Sequence, residues 1–219
     1  MQLAIGPILS AQEIASLCAA LGELEFVDGK ATAGWSAALV KNNQQAANYA
    51  AAQGLADDIV RKLHTNPVFE IAVRPKTIIK AMFSRYRPGM AYGTHVDNAI
   101  MSGERTDVSF TLFLSDPSGY DGGELVIESA SGEEAVKLAA GNLFAYPSTT
   151  LHRVETVTRG ERLALVGWVR SYVRDGAKRE VLFDLETARR TLFDRDGKSA
   201  EFDLLSKSAA NLLRMWIED

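Results

Sequence analysis

Cysteine occurs once in this chain, at Cys18, so no intrachain disulfide can form and an oxidising compartment is not required. No apolar run approaches the roughly 20 residues that a membrane-spanning helix needs. The opening MQLAIGPILSAQEIASL has no basic stretch ahead of its apolar residues and meets Ser, Gln and Glu early, unlike a secretory signal. A soluble, cytoplasmic protein without membrane contact is therefore expected. Neither sign of charge dominates: 24 basic residues stand against 28 acidic ones, a net charge of −4. The densest basic stretches, RPKTIIK and RRTLFDRD, are interleaved with apolar or acidic residues, which argues against a nucleic-acid partner. Histidine is scarce too, with three in 219 residues. What the chain does have is 47% hydrophobic residues and enough length for one sizeable core.

Periodicity divides that length into helix, strand and helix again. Ser10 with Glu13 three residues on reads as a capping box, followed by Ile14, Leu17, Cys18 and Leu21 on one helical face and Gly22 at the stop. A second helix is expected over 44–64, with Ala46, Ala47, Ala50, Leu55, Ile59, Val60 and Leu63 as its apolar residues. From Thr77 the pattern changes. TIIKAMFSRY is β-branched and aromatic, and RTDVSFTLFLS alternates with Val108, Phe110, Leu112 and Leu114 on one side. GGELVIES, EAVKLAAG, NLFAYP and RLALVGWVRSYV follow, separated by Gly and Pro at DPSGYDGG, AAGN and YPS. Six or seven short strands in about 95 residues predict an antiparallel jelly-roll sandwich or barrel. After Asp175, AKREVLFDLETARRTLF and SAEFDLLSKSAANLLRMWIE, joined by the turn DRDG, predict a C-terminal helical pair.

The expected fold is thus mostly β with flanking helices: a double-stranded β-helix core, N-terminal helices packed on it, and the C-terminal pair. Residues 1–175 are expected to form one domain, with the jelly roll from about residue 77, and 176–219 a helical extension. Leu212, Leu213, Trp216 and Ile217 either fold that extension back on the barrel or form the seam of a homo-oligomer.

The scarce histidines point to chemistry. In AYGTHVD, His95 and Asp97 stand two apart, and in a strand such residues project to the same side. That suits two ligands of one metal. His64, at the end of a predicted helix in RKLHTNP, is accounted for by the helix dipole. His152 instead follows the turn YPSTTL where a strand would begin. A jelly roll can set an early and a late strand side by side. Two imidazoles and one carboxylate would then leave half of an octahedron open, as in non-haem Fe(II) oxygenases. Such a centre takes a bidentate keto acid and then O2. A ferrous ion, Asp97 and a doubly ionised 2-oxo acid leave one negative charge, which a fixed cation at the acid's far end would balance. Arg162, ten residues after His152, begins the strand RLALVGWVRS, and its planar fork suits a carboxylate. Ala164, Val166 and Trp168 share its face and would wall an apolar lumen.

RYRPGMAYGTHVD, RTDVSFTLFLSDPSGYDGGELVIE, AGNLFAYPSTTLHRV and RGERLALVGWVRS together resemble the Fe(II)- and 2-oxoglutarate-dependent dioxygenases of the prolyl-4-hydroxylase superfamily, and most closely the PKHD-type hydroxylases of bacteria. VKNNQQ at 40–45 and the helical tail after VRDGAKR extend the resemblance over nearly the whole chain. It implies that His95, Asp97 and His152 ligate iron, that Arg162 pairs with the C5 carboxylate of 2-oxoglutarate, and that Tyr86 hydrogen-bonds this cosubstrate. Tyr92 would stand near the substrate mouth. Asp121, Gly122, Gly123 and Glu124 form a turn-and-strand signature; the glycines read as turn geometry, with Glu124 either lining the site or solvated.

The implied reaction is hydroxylation of an unactivated C–H bond, coupled to the conversion of 2-oxoglutarate and O2 into succinate and CO2, with L-ascorbate as reductant for the iron. The substrate is open between a protein side chain and a small molecule such as a siderophore, and the bacterial relatives suggest iron homeostasis. Two alternatives stand beside this: a cupin-like enzyme using zinc or manganese without 2-oxoglutarate, and a non-catalytic iron-sensing or binding module. Arg162 discriminates, because a hydrolase needs no buried cation for the tail of a keto acid.

Overall fold

Local signals set the N-terminal elements of the computed structural model, which describes residues 1–47 and 49–218. Helix α1 (Ala11–Gly22) begins with the full capping box, the Ser10 and Glu13 side chains each bonding the other's backbone N–H. The expected helix over 44–64 starts later. Helix α2 runs Tyr49–Thr65, and Asn48 lies outside the described residues. Gln44–Ala46 is a strand instead, paired with the register Gln44↔Arg85 and Gln45↔Ser84. The alanine-rich composition read as helix there, but the free edge of a long neighbouring strand captured the segment. A further helix, α3 (Pro67–Val73), starts at Asn66, whose side chain caps Val68 and Phe69, with Pro67 at the first helical position. Sequence patterning did not single it out, since seven residues are too few to show a period.

Fourteen strands among the described residues build the core. They are β1 (Leu3–Ile5), β2 (Phe26–Asp28), β3 (Lys41–Asn42), β4 (Gln44–Ala46), β5 (Pro75–Tyr86), β6 (Ala91–His95), β7 (Ile100–Met101), β8 (Glu104–Arg105), β9 (Val108–Phe113), β10 (Leu125–Ser129), β11 (Gly132–Val136), β12 (Leu143–Pro147), β13 (His152–Val154) and β14 (Arg162–Ser171). Seven form one antiparallel sheet in the order β1-β12-β9-β14-β5-β4-β2, and five form a second in the order β11-β10-β13-β6-β3. The pair β7-β8 stands apart. The N-terminal third therefore supplies strands to both sheets as well as helices, more than its sequence pattern suggested.

The large sheet separates two environments by side-chain alternation. On its helix-covered face Ala81, Phe83, Val108, Phe110, Leu112, Leu165 and Val169 join Leu17, Leu21, Ile59, Leu63 and Phe69 in the main core. On the inner face β5 presents Lys80, Met82, Ser84 and Tyr86, β14 presents Arg162, Val166 and Trp168, and β9 presents Ser109 and Thr111. A strand buried on both faces explains why β9 is buried at all six positions. Gly167 faces the core side, where a Cβ would lie 2.4 Å from Phe110 Cζ.

The C-terminal pair is present as α4 (Gly176–Asp196) and α5 (Ala200–Trp216). The first helix runs through most of the expected DRDG turn, ending at Gly197 with φ +68°. Arg179, Leu182 and Glu186 of α4 are buried, whereas no described residue of α5 is. No helix is long and apolar enough to cross a membrane among the described residues.

Candidate metal centre

The second sheet brings the two distant histidines together. Strand β13 pairs antiparallel with β6 in a register that sets His152 opposite His95, 57 positions apart in sequence. Their ring centroids are 4.2 Å apart. Asp97 lies just past the end of β6 rather than within it, with the exposed Val96 between. Its carboxylate nevertheless turns inward, and ligand atoms of His95, Asp97 and His152 lie within 4.8 Å of one another. His152 Nε2 and Asp97 Oδ2 are 3.8 Å apart, beyond a hydrogen bond and close enough to share one ion.

Each of the three candidate ligands is held by a polar neighbour. His95 Nδ1 lies 2.9 Å from the Gly93 carbonyl, and His152 Nδ1 lies 3.0 Å from the Thr150 carbonyl. A carbonyl oxygen only accepts, so each Nδ1 carries the proton and each Nε2 offers its lone pair to the centre. Burial, and then the neighbouring His152, push the His95 pKa down to about 4, which keeps that ring neutral at physiological pH. Tyr92 stacks on the His95 ring at 3.7 Å between centroids. Asp97 accepts a 2.5 Å hydrogen bond from Ser109 Oγ, which lies 2.7 Å from Ser148 Oγ. Neither serine was singled out from sequence. Ser109 could have been, as a polar residue between Val108 and Phe110 in a strand of otherwise apolar and β-branched residues.

Arg162 sits at the start of β14, 1% exposed, directly across from Tyr86 in the β14–β5 register. Its guanidinium carbon lies 5.2 Å from the Tyr86 ring centroid and 5.4 Å from that of Phe113. None of its three nitrogens has a hydrogen-bond partner among the described residues. An unpaired buried guanidinium is costly, so a site of this kind calls for an anion from outside. Gly123, at φ +68°, packs on its stem: a Cβ there would lie 3.0 Å from Arg162 Cδ and 3.0 Å from Val157 Cγ2. The glycine thus serves turn geometry and close packing together. Glu124 does not line the cavity; it pairs with Lys137 at 3.4 Å. Burial raises the Tyr86 pKa against the pull of Arg162 and the Asn43 side chain, so its hydroxyl remains a donor.

The ligand cluster, Arg162, Tyr86 and Tyr92 all line one cavity of about 370 Å³. Leu125, Val154, Val166 and Trp168 supply apolar wall. His64 is elsewhere, in the last turn of α2 with its Nδ1 3.1 Å from Glu70. The residues present fit a divalent first-row metal and a carboxylate-bearing cosubstrate: a neutral-imidazole and carboxylate donor set, and an orphaned guanidinium in the same cavity.

The sequence of a PKHD-type hydroxylase from Picosynechococcus sp. is 57% identical over 215 residues, covering 98% of each chain. Another from Acaryochloris marina is 56% identical over the full length of both. This chain belongs to the PKHD-type hydroxylases. The 2OG-Fe(II) oxygenase superfamily pattern matches residues 81–170, the span from β5 to β14 that holds all five expected site residues. Among solved structures, a Pseudomonas putida prolyl-4-hydroxylase is similar in fold with a TM-score of 0.54 at 24% identity, covering 78% of this chain and 92% of its own. HygX from Streptomyces hygroscopicus, solved with nickel and 2-oxoglutarate bound, gives 0.57 at 15% identity over 78% and 84%. The hydroxylase is thus a 2-oxoglutarate-dependent dioxygenase with Fe(II) and 2-oxoglutarate as cofactor and cosubstrate, on a jelly-roll fold.

Proposed function

We propose that His95, Asp97 and His152 hold the iron, that Arg162 pairs with the far carboxylate of 2-oxoglutarate with Tyr86 donating to the same group, and that the enzyme hydroxylates a C–H bond with release of succinate and CO2. The observation that carries this reading is Arg162: buried, unpartnered at all three nitrogens, and in the same cavity as the ligand cluster. A zinc or manganese enzyme working without a keto acid gives that guanidinium nothing to do, and a sensor needs no second anion site.

When bound, the ferrous ion supplies the dioxygen activation that couples decarboxylation of 2-oxoglutarate to hydroxylation. The chain's own residues do the rest. The Gly93 and Thr150 carbonyls fix both imidazole tautomers, and Ser109 holds Asp97 at one oxygen. Arg162 neutralises and orients the cosubstrate, and the apolar wall keeps bulk water from the centre. Tyr92, flat against His95, fixes that ring's plane and lines the same cavity.

Residues 1–175 form the dioxygenase domain in this reading, and 176–219 a helical extension. The exposed Leu204 and Met215 of α5 support a homo-oligomer seam there. Ascorbate as reductant, a cytoplasmic location and a part in iron homeostasis rest on the family resemblance alone. The deciding test adds Fe(II) and then 2-oxoglutarate to the protein without oxygen. A visible charge-transfer band is expected, absent with zinc and lost in Arg162→Ala at moderate 2-oxoglutarate. A wild-type protein that binds Fe(II) but gives no band refutes the cosubstrate assignment.

A further inference from the structure

The cavity holds more positive charge than its cosubstrate uses. Among the described residues lining it, Asp97 is the one carboxylate, against Arg162, Lys41 and Lys80. A ferrous ion, Asp97, Arg162 and doubly ionised 2-oxoglutarate sum to zero, which leaves both lysines without a counter-charge among the described residues lining the cavity. Lys41 is 5% exposed and has no carboxylate within ion-pair distance among the described residues. Its Nζ donates to Thr32 Oγ1 at 3.1 Å and stands 5.1 Å from the Tyr92 ring centroid. Thr32 in turn donates to Gln45, and Gln45 Nε2 lies 3.0 Å from Met82 Sδ. This chain of contacts fixes the ammonium beside the β5 row that ends in the exposed Lys80. An ammonium has three donors, and one acceptor leaves two N–H groups for a ligand.

Lys80 lies six residues along β5 from Tyr86, and pairs with Trp168 while Tyr86 pairs with Arg162. At the rise of a strand that is about 20 Å of backbone, so Lys80 belongs to the opposite end of the cavity from Arg162. Burial first, and then Lys80, push the Lys41 pKa down to about 8 against the pull of the more distant Asp97 and Asp28.

We propose that Lys41 and Lys80 form the subsite for an anionic group of the primary substrate, a carboxylate, sulfate or phosphate, at the solvent end of the cavity. This rests on the assignment of Arg162 to the cosubstrate, and the experiment separates the two. Protein loaded with Fe(II) and saturating 2-oxoglutarate, without oxygen, is titrated with two fluorescent probes of the same ring system: 8-anilinonaphthalene-1-sulfonate and the neutral N-phenyl-1-naphthylamine. The sulfonate is expected to bind more tightly by about tenfold or more, the worth of one charge-assisted hydrogen bond. Lys41→Met and Lys80→Met should each erode that preference while leaving the neutral probe unchanged. The exposed Lys80 makes its variant safe for folding, and Lys41→Met keeps the stem; a thermal melt checks both. The 2-oxoglutarate concentration that half-develops the charge-transfer band should not move. No preference for the sulfonate, no measurable binding of it, or a preference indifferent to both lysines overturns the proposal. So does a raised 2-oxoglutarate requirement in Lys41→Met, which would give that lysine to the cosubstrate. A missing charge-transfer band in the wild type strikes the cosubstrate assignment instead.

Discussion

At the His95, Asp97 and His152 cluster each side chain has a firm hydrogen-bond partner, whereas in the same cavity Arg162 pairs with no carboxylate among the described residues. His95 and His152 each donate a hydrogen bond to a main-chain carbonyl, and Asp97 accepts one from Ser109, which Ser148 backs in turn. Arg162 is as deeply buried as any of them, with aromatic rings and an aliphatic neighbour around it, the neutral Tyr120 hydroxyl beside it, and no carboxylate paired with it among the described residues. The difference follows from what each must do. Candidate metal ligands need a fixed tautomer and direction before an ion arrives, so the fold satisfies the two imidazole Nδ1 atoms that face away and steadies Asp97 at Oδ2. A guanidinium meant for a ligand carboxylate must keep its donors free, so the fold supplies shape and a low dielectric and withholds the partner.

The comparison breaks most completely at Asp97. Asp97→Ala removes the sole carboxylate of the cluster, and iron binding together with turnover should disappear; normal iron content in that variant would mean the centre lies elsewhere. Next comes the unsupported end. Arg162→Ala should leave iron binding intact and raise the 2-oxoglutarate requirement by about tenfold or more for each charge-assisted hydrogen bond lost. Equal 2-oxoglutarate affinity in wild type and variant would remove the arginine from the site. Thermal stability should rise or change little in Arg162→Met, which keeps most of the buried stem and removes the charge. A third, smaller effect sharpens the supported end: Ser109→Ala should weaken iron affinity by roughly ten- to a hundredfold, the usual worth of a group that orients a ligand, with the 2-oxoglutarate requirement at saturating iron unchanged.

Much of this contrast was readable in the sequence, and the unreadable part has physical causes. His95, Asp97, His152 and Arg162 stood out because histidine is rare here and each fell at the edge of a strand. The β core was legible from alternation, and α1 from its capping box. The 44–46 segment was not: its helix-forming composition is overridden by a sheet edge that only the tertiary structure reveals. Ser148 and Thr32 were invisible because a hydroxyl in a turn or a four-residue 3-10 helix has no periodic context, and their roles depend on segments arriving from elsewhere. Lys41 lay inside the noted VKNNQQ run, yet a lysine in sequence reads as solvated. Its 5% exposure comes from pairing with Tyr92 across β3 and β6, a contact between residues 51 apart. Asp97 taught the converse. Period-two spacing grouped Asp97 with His95, and the structure brings the two side chains together although Asp97 lies beyond the strand that the spacing assumed.

The smallest effect tests the cost of keeping a ligand ready. His95 has a pKa of about 4 in the folded chain against 6.5 for a free histidine. Above pH 6.5 neither state binds this proton, and stability is indifferent to it. As pH falls from 6.5 toward 4, the unfolded chain takes up a proton that the folded one refuses, so metal-free protein should lose stability across that window. Carboxylates titrate there too, so the total slope is not diagnostic. The informative quantity is the difference between wild type and His95→Gln, both metal-free, in denaturant melts at pH 4.5, 5.5 and 6.5. Glutamine cannot protonate, so the variant's stability should fall with acid less steeply, by up to one proton's worth of slope. Identical slopes would mean that His95 protonates freely in the fold. The ring would then be less sheltered than its stacking on Tyr92 and its bond to Gly93 require.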